Sequence, residues 1–311
     1  MKVITDKTAI SKIVTQAYNN RILVPAFNFS YIPMIKPILE ILKQTSTFAI
    51  GEVALQEIRY FGIKSFQQVA EEYFRLADRK FSRLHLDHIP VIDENGERVD
   101  WKPLIEMALK LEFDSVMIDG SRLSLEENIS VTRKVVELAH NYNVPVEAEL
   151  GAVFGHEEGF LPPYEELFAT KKGFTAIREA ERFVKETGVN WLSVAIGNVH
   201  GAIIGVAKNE KKISARLDIE HLKRLVEVTG IPLVLHGGSG IKANYAREAI
   251  RNGITKINIG HIVRRPYEVS LSERPDDIEE AQRKMALEVK RLIQEEYKIE
   301  RNWEVLNKML E

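Results

Sequence analysis

Eight short runs of apolar and β-branched residues recur along this chain, each followed by a stretch of helical periodicity. That alternation constrains the fold more than any other feature. The runs are ILVPAFNF (22–29), TFAIGEV (47–53), SRLHLDH (82–88), DSVMIDG (114–120), VPVEAEL (144–150), WLSVAIG (191–197), IPLVLHGG (231–238) and ITKINIG (254–260). None has a helical period, and each suits a strand buried on both faces, as in a parallel sheet. Between them, Ile35, Ile38, Leu39 and Leu42 share one helix face, and Val131, Val135, Leu138 and Tyr142 share another. Gly188, Gly230 and Gly253 stand just before strands, where a helix end needs a left-handed residue.

Eight strands alternating with helices predict an α/β fold, a (β/α)8 TIM barrel. The rival is a doubly wound open sheet. It would gather polar residues at one switch point and place a GxGxxG turn after the first strand, and no such turn is present here. Residues 1–311 are expected to form a single domain, with the barrel over 20–265 and extra C-terminal helices over 266–311. Opposite charges nearly balance, 43 Lys+Arg against 45 Asp+Glu, which gives no reason to expect nucleic acid or a membrane as partner. The absence of cysteine removes disulfides, thiolate nucleophiles and Cys-ligated zinc. No apolar leader or membrane-length apolar run is apparent, so a cytoplasmic location is expected.

Barrel enzymes place their chemistry at the C-terminal strand ends. Here those ends carry Asn28, Asp87, His88, Asp119, Glu147, Glu149, His236 and Asn258, with His200 just past the sixth strand. Such groups are costly to desolvate unless they pair or bind something, so their gathering at seven strand ends marks a site. His88, His200 and His236 end three separate strands, and three neutral imidazoles leave a tetrahedral ion one position for substrate. His140 and His221 fall on helices and are expected at the surface, while His85 lies inside the third strand as a packed or supporting group.

Asp87 and His88 are adjacent, so on a regular strand they would face opposite ways. The sequence therefore expects the strand to give way to loop at His88, with Asp87 facing the axis as a candidate acid/base. Glu147 and Glu149 share one face and would orient ligands or hold a second cation. Glycine-rich turns after strands seven and eight, HGGSG (236–240) and NIGH (258–261), suit a phosphate cradle. They bring Gly237, Ser239, Gly260 and His261 into the substrate-binding set.

Together these residues resemble the metal-dependent (class II) fructose-bisphosphate and tagatose-bisphosphate aldolases over about residues 20–270. HLDH (85–88), SVMIDGS (115–121), EENI (126–129), VEAELG (146–151), VAIGNVHG (194–201), PLVLHGGSG (232–240) and KINI (256–259) occur in family order. The resemblance implies a lyase that cleaves a ketose bisphosphate through an enediolate, giving dihydroxyacetone phosphate and an aldehyde phosphate. His88, His200 and His236 would bind zinc, or another divalent ion such as cobalt or iron. Asp87 would move the proton of the C4 hydroxyl, and Glu157, in the loop GAVFGHEEG (151–159), the proton on the triose carbon. Asp119 and Glu149 match carboxylates near the metal, and Asn258 a substrate-contacting asparagine. Gly201, Gly237 and Ser239 match groups around the donor phosphate and a monovalent cation, sodium or potassium. A sugar phosphate would be the small-molecule partner, and a homodimer or homotetramer the assembly.

Three departures concern phosphate rather than metal. Val53 aligns with a serine near the end of strand two, Ile204 with a lysine after the sixth-strand HG, and Gly260–His261 with an acidic or small residue followed by threonine. Ile89 and Phe154 also replace glycines, and VIDENGERVD (91–100) reads as an insertion at the barrel mouth. Lys256 is the lysine to consider for a Schiff base, but that route leaves three histidines without a role. The alternatives to bisphosphate cleavage are the same chemistry on a different, mono-phosphorylated sugar, and a non-catalytic sugar-phosphate-binding paralogue.

Overall fold

The computed structural model describes residues 9–152, 164–199 and 215–309. Helix α1 (Ile10–Asn19) leads into β1 (Val24–Asn28), followed by α2 (Ile35–Gln44), β2 (Ala49–Val53), α3 (Leu55–Tyr60), α4 (Phe66–Leu76) and β3 (Ser82–Pro90). Next come α5 (Trp101–Lys110), β4 (Ser115–Asp119), α6 (Leu125–His140), β5 (Val146–Leu150), α7 (Tyr164–Thr170), α8 (Ile177–Thr187) and β6 (Trp191–Val194). The chain ends through α9 (Ile219–Thr229), β7 (Leu233–Leu235), α10 (Ala243–Arg251), β8 (Ile254–Ile259), α11 (His261–Glu273), α12 (Ile278–Arg291) and α13 (Asn302–Met309). Every strand pairs in parallel with its neighbours, and β8 closes on β1, with Ala26 beside Asn258. This is the expected (β/α)8 barrel.

Period-two alternation divides each strand between two environments. Outward residues such as Phe27, Leu86, Ile118, Leu192, Leu235 and Ile257 pack under the surrounding helices in the larger core. Inward residues change character along the axis. At the floor, Val24, Ala26, Phe48, Ile50, Trp191 and Val234 form a second apolar core that α1 seals with Ile10, Ile13, Val14 and Ala17. Nearer the mouth the interior is polar, with Glu52, His85, Asp87, Glu147, Lys256 and Asn258 all buried. The strands are therefore apolar on both faces only in their lower halves.

The C-terminal helices are tied to this floor. Leu306 of α13 joins the inner core. The Asn302 side-chain carbonyl accepts the Phe48 amide at 2.6 Å, and its amide donates to the carbonyls of Leu23 and Phe48 at 3.0 Å each. Helix α11 begins directly after β8 and runs through the boundary expected at 265, so α12 and α13 are the elements added to the barrel. No helix among the described residues is long and apolar enough to cross a membrane.

Asn302 therefore supplies hydrogen-bond partners to three buried backbone groups of the floor. Asn302→Ala is expected to cost about 2–4 kcal/mol of unfolding free energy in a urea titration. A loss below about 1 kcal/mol would show that α13 contributes little to holding the barrel closed.

Candidate active site

One pocket opens at the carboxyl ends of the strands, and Asn28, Asp87, His88, Asp119, Glu149, His236 and Asn258 all line it. The sequence expectation for Asp87 and His88 needs one correction. Strand β3 does not end at His88 but continues to Pro90, and its register against β4 slips between Leu86 and Ile89. This bulge, with a positive φ of 29° at His88, is what brings two successive side chains to one pocket. A left-handed backbone at a non-glycine residue is strained, and here it falls on a residue of the pocket.

His88 and His236 meet across the mouth, with His88 Nε2 2.6 Å from His236 Nδ1. Their outer nitrogens are backed by carboxylates: His88 Nδ1 lies 3.3 Å from Asp119 Oδ2, and His236 Nε2 lies 2.9 Å from Glu147 Oε1. A carboxylate behind each ring favours the tautomer whose free lone pair points at the other imidazole. Glu149 Oε2 stands 3.2 Å from His236 Nδ1, on the same side as His88. Asp119 is fixed in turn by the Ser121 hydroxyl at 2.6 Å and the Ser121 amide at 3.0 Å. Asn128 of α6 donates to the Glu149 carbonyl at 3.0 Å, which anchors that strand end.

The electrostatics of this donor set suit a divalent cation. Burial and the charge of His236 push the His88 imidazole down, but Asp87, Asp119 and Glu149 outweigh them and lift it to about 9. Burial likewise opposes charge on His236, yet Glu147, Glu149 and Asp87 hold it well above the ordinary histidine range. Burial disfavours the Asp119 carboxylate too, but its bonds from His88 and Ser121 leave it far below the usual carboxylate range. Two imidazoles drawn towards positive charge, ringed by carboxylates, form a pocket that accepts a cation. Asp87, His88 and His236 present ligand atoms within 4.8 Å of one another, as do His88, Asp119 and Glu149.

Beneath them lies a network that sequence reasoning missed. Lys256 Nζ sits 3.0 Å from Glu147 Oε2, 3.1 Å from Glu52 Oε2 and 4.0 Å from Asp87 Oδ1, with the lysine almost fully buried. Burial lowers the lysine, but Glu147, Glu52 and Asp87 outweigh it and keep the ammonium charged. A charged amine locked below the pocket is unsuited to Schiff-base formation, which needs the free base. Burial and the charge of Asp87 push Glu52 up to about 8, against the pull of Lys256. Burial would also raise Asp87, but His88 and Lys256 reverse that and hold it below the ordinary range. Asn258 Nδ2 donates to Asp87 Oδ1 at 2.9 Å. His85 is the packed, supporting group expected: Nδ1 lies 2.8 Å from Ser115 Oγ, and burial and Lys256 push it down to about 3.

The turns after β7 and β8 stand where the sequence placed them. Gly237 takes a left-handed φ of 70°, and a side chain at Gly238 would lie 2.6 Å from the Asn258 carbonyl. Ser239 Oγ accepts the Ile262 amide at 3.1 Å, joining the two turns, and Gly260 and His261 also line the pocket. Val53 proves to be an outward core residue, and Ala54 is the residue of that strand end that lines the pocket. His221 is buried rather than at the surface, with Nε2 2.8 Å from the Thr175 carbonyl. His140 is exposed, as expected. His200, Gly201, Ile204, Phe154 and Glu157 lie outside the described residues.

A closed parallel barrel with a histidine–carboxylate cluster at its carboxyl end is the frame of a barrel enzyme. The family model described as Fructose-bisphosphate aldolase class-II matches residues 8–307. A 6-phospho-5-dehydro-2-deoxy-D-gluconate aldolase of Bacillus licheniformis is 33% identical over 255 residues, 81% of this chain and 78% of that protein. A fructose-bisphosphate aldolase of Helicobacter pylori is 32% identical over 273 residues, 80% of this chain and 81% of that protein. Among solved structures, the YdjI aldolase of Escherichia coli K12 superposes with a TM-score of 0.72 at 26% identity, over 94% of this chain and 97% of that one. A putative fructose-1,6-biphosphate aldolase of Coccidioides immitis gives a TM-score of 0.73 at 27% identity, over the same shares. The chain belongs to the class II fructose-bisphosphate aldolase family. It is an aldolase, an aldehyde-lyase, of a family whose chemistry calls on a divalent metal.

Two outcomes follow for the interior network, both measured on metal-free protein. Lys256→Met should cost about 3–5 kcal/mol of stability by leaving Glu147 uncompensated, and adding Glu147→Gln should recover at least about 1 kcal/mol. Strictly additive penalties would show that this pair is not coupled. Glu52 is raised from 4.5 to about 8 on folding, so its stabilising contribution is full below about pH 4.5 and is lost as pH rises through about 8. Glu52→Gln should remove that fall between about pH 4.5 and 8 in urea titrations, and an unchanged pH profile would mean Glu52 is ionised throughout.

Proposed function

We propose that this aldolase reversibly cleaves a ketose bisphosphate, fructose 1,6- or tagatose 1,6-bisphosphate, into dihydroxyacetone phosphate and an aldehyde phosphate. The observation that carries this reading is the facing pair His88 Nε2 and His236 Nδ1, each backed by a carboxylate, with Asp87 beside them in one pocket. In this reading His88 and His236, with His200, hold zinc. When bound, such an ion supplies Lewis-acid stabilisation of the negative charge that develops on the donor fragment.

The chain's own groups do the rest. Asp87, ionised at neutral pH and oriented by Asn258, takes the proton of the C4 hydroxyl as the C3–C4 bond breaks. Glu157 moves the proton on the triose carbon. The turns carrying Gly237, Ser239, Gly260 and His261 hold the donor phosphate through backbone amides, with Gly201 and a monovalent cation alongside. Asn28 faces the same turn, its Oδ1 lying 3.1 Å from where a side chain at Gly260 would begin. Asp119 and Glu147 keep the two histidines oriented, and Glu149 lies close enough to serve the same ion or a second one.

A second reading, the same chemistry on another phosphorylated sugar, is favoured by one observation. Ala54, with no hydroxyl, lines the pocket at the end of β2. The relatives at 33% and 32% identity also carry two different substrates in their names.

The deciding assay follows dihydroxyacetone phosphate release from fructose and tagatose bisphosphates, before and after chelator treatment, with zinc, cobalt or iron restored. Cleavage that a chelator abolishes and zinc restores best is the expected outcome, and chelator-resistant cleavage would overturn the metal reading. His236→Ala should lose both metal and turnover; full metal occupancy in that variant would remove His236 from the ligand set. Asp87→Asn should keep the metal and lower kcat by about 100-fold or more, the usual range for a lost general acid/base. Near-normal turnover would take Asp87 out of the mechanism.

A further inference from the structure

In an eight-stranded ring, the mouth between β2 and β4 lies opposite the glycine turns of β7 and β8. That wall of the pocket carries two guanidinium groups, Arg59 on α3 and Arg122 in the turn between β4 and α6. Both are tied to Asp93, in the stretch that the sequence marked as an insertion. Arg59 Nη1 donates to Asp93 Oδ2 at 3.0 Å, and Arg122 Nη1 donates to the Asp93 carbonyl at 3.1 Å.

Asp93 is itself held in place. Its Oδ1 accepts the amides of Asn95 and Glu97 at 3.0 Å each. The turn around it is a short hairpin, with the Asp93 amide on the Glu97 carbonyl at 2.9 Å and the Val99 amide on the Val91 carbonyl at 3.0 Å. The insertion is therefore a clamp that fixes two guanidinium groups at one edge of the pocket.

Most of their donor capacity remains. A guanidinium offers five N–H groups in a planar fork that matches carboxylate and phosphate. Among the described residues, Arg122 spends one on a backbone carbonyl and makes no ion pair. Glu94 shares the wall as a second, longer ion-pair partner of Arg59 at 3.9 Å, and it accepts the Tyr60 hydroxyl at 2.5 Å. Ala54 offers no hydroxyl there, and the third arginine of the pocket, Arg264, is stacked on Phe61 and paired with Glu268 at 3.1 Å, so Arg59 and Arg122 are the guanidinium groups that the hairpin holds at this edge.

We propose that Arg59 and Arg122 bind an oxyanion at the far end of the aldehyde fragment, with the 91–99 hairpin holding them in place. This rests on the aldolase reading above, in which the donor phosphate occupies the opposite turns. It defines the substrate class as a phosphorylated ketose with a second terminal anion, either a phosphate or a carboxylate.

The test is condensation of dihydroxyacetone phosphate with three aldehydes: D-glyceraldehyde 3-phosphate, a five- or six-carbon aldehyde acid, and uncharged D-glyceraldehyde. The wild type should favour an anionic aldehyde over the uncharged one by about 10- to 100-fold in kcat/KM, the range of one or two charge-assisted hydrogen bonds. Whether phosphate or carboxylate leads identifies the natural anion. Arg122→Met and Arg59→Met should each shrink that preference at least about fivefold, and Arg122→Lys should retain part of it. Because the preference is a ratio taken on one sample, partial misfolding does not imitate the effect. A wild type without anion preference, or variants that keep it, would overturn the proposal. Exchange of the dihydroxyacetone phosphate C3 proton with solvent deuterium needs no aldehyde and reports on the aldolase reading separately. Its absence would sink that reading and this one together, whereas exchange without anion preference sinks this one alone.

Discussion

A single buried ammonium makes the polar half of this barrel interior tenable. Lys256 reaches inward from β8 to Glu147 and Glu52, with Asp87 close by, where water cannot screen any of them. An isolated carboxylate at that depth would be expensive, and removing one partner of such a pair costs far more than the pair contributes. The ammonium keeps Glu147 ionised, Glu147 orients His236, and His236 faces His88. Four strands, β3, β5, β7 and β8, are thus linked at their carboxyl halves through one chain of contacts that ends at the two facing imidazoles.

The barrel supplies a second requirement, which is direction. Side chains alternate between the interior and the helical shell, so a regular strand delivers only every other residue to the axis. The bulge in β3 suspends that rule at one place and sets Asp87 and His88 in the same pocket. An imidazole and a carboxylate, consecutive in the chain, are thus set side by side by one local irregularity rather than by two separate strands.

Most of the architecture was readable because its signals are local. Apolar runs at regular spacing mark the strands, and polar residues at their ends mark the mouth, so Asn28, Asp119, Glu149, His236 and Asn258 fall where the sequence puts them. What escaped depended on partners distant in sequence. Lys256 reads from the sequence only as a lysine to weigh for a Schiff base, and nothing near it announces Glu147 more than a hundred residues earlier. The bulge at Asp87–His88 is a register event between strands, invisible to periodicity. Val53 and Ala54 differ by one position, and one position is enough to exchange the shell for the pocket. His221 reads as a surface helix residue because its acceptor, the Thr175 carbonyl, belongs to a distant segment. The arginines tied to Asp93 are unremarkable as letters and acquire meaning only through the hairpin they share.

The sealed floor has a consequence for how such a protein changes over generations. The apolar plug of α1 and the Asn302 clamp secure the barrel at the end remote from the mouth. Loops at the mouth, such as the hairpin over residues 91–99, then stand apart from the contacts that close the floor. Selection can rework the rim for a new substrate while the ring below keeps its geometry. The outermost rim is then the part of this molecule that can change without disturbing either the floor or the buried Lys256 network between them.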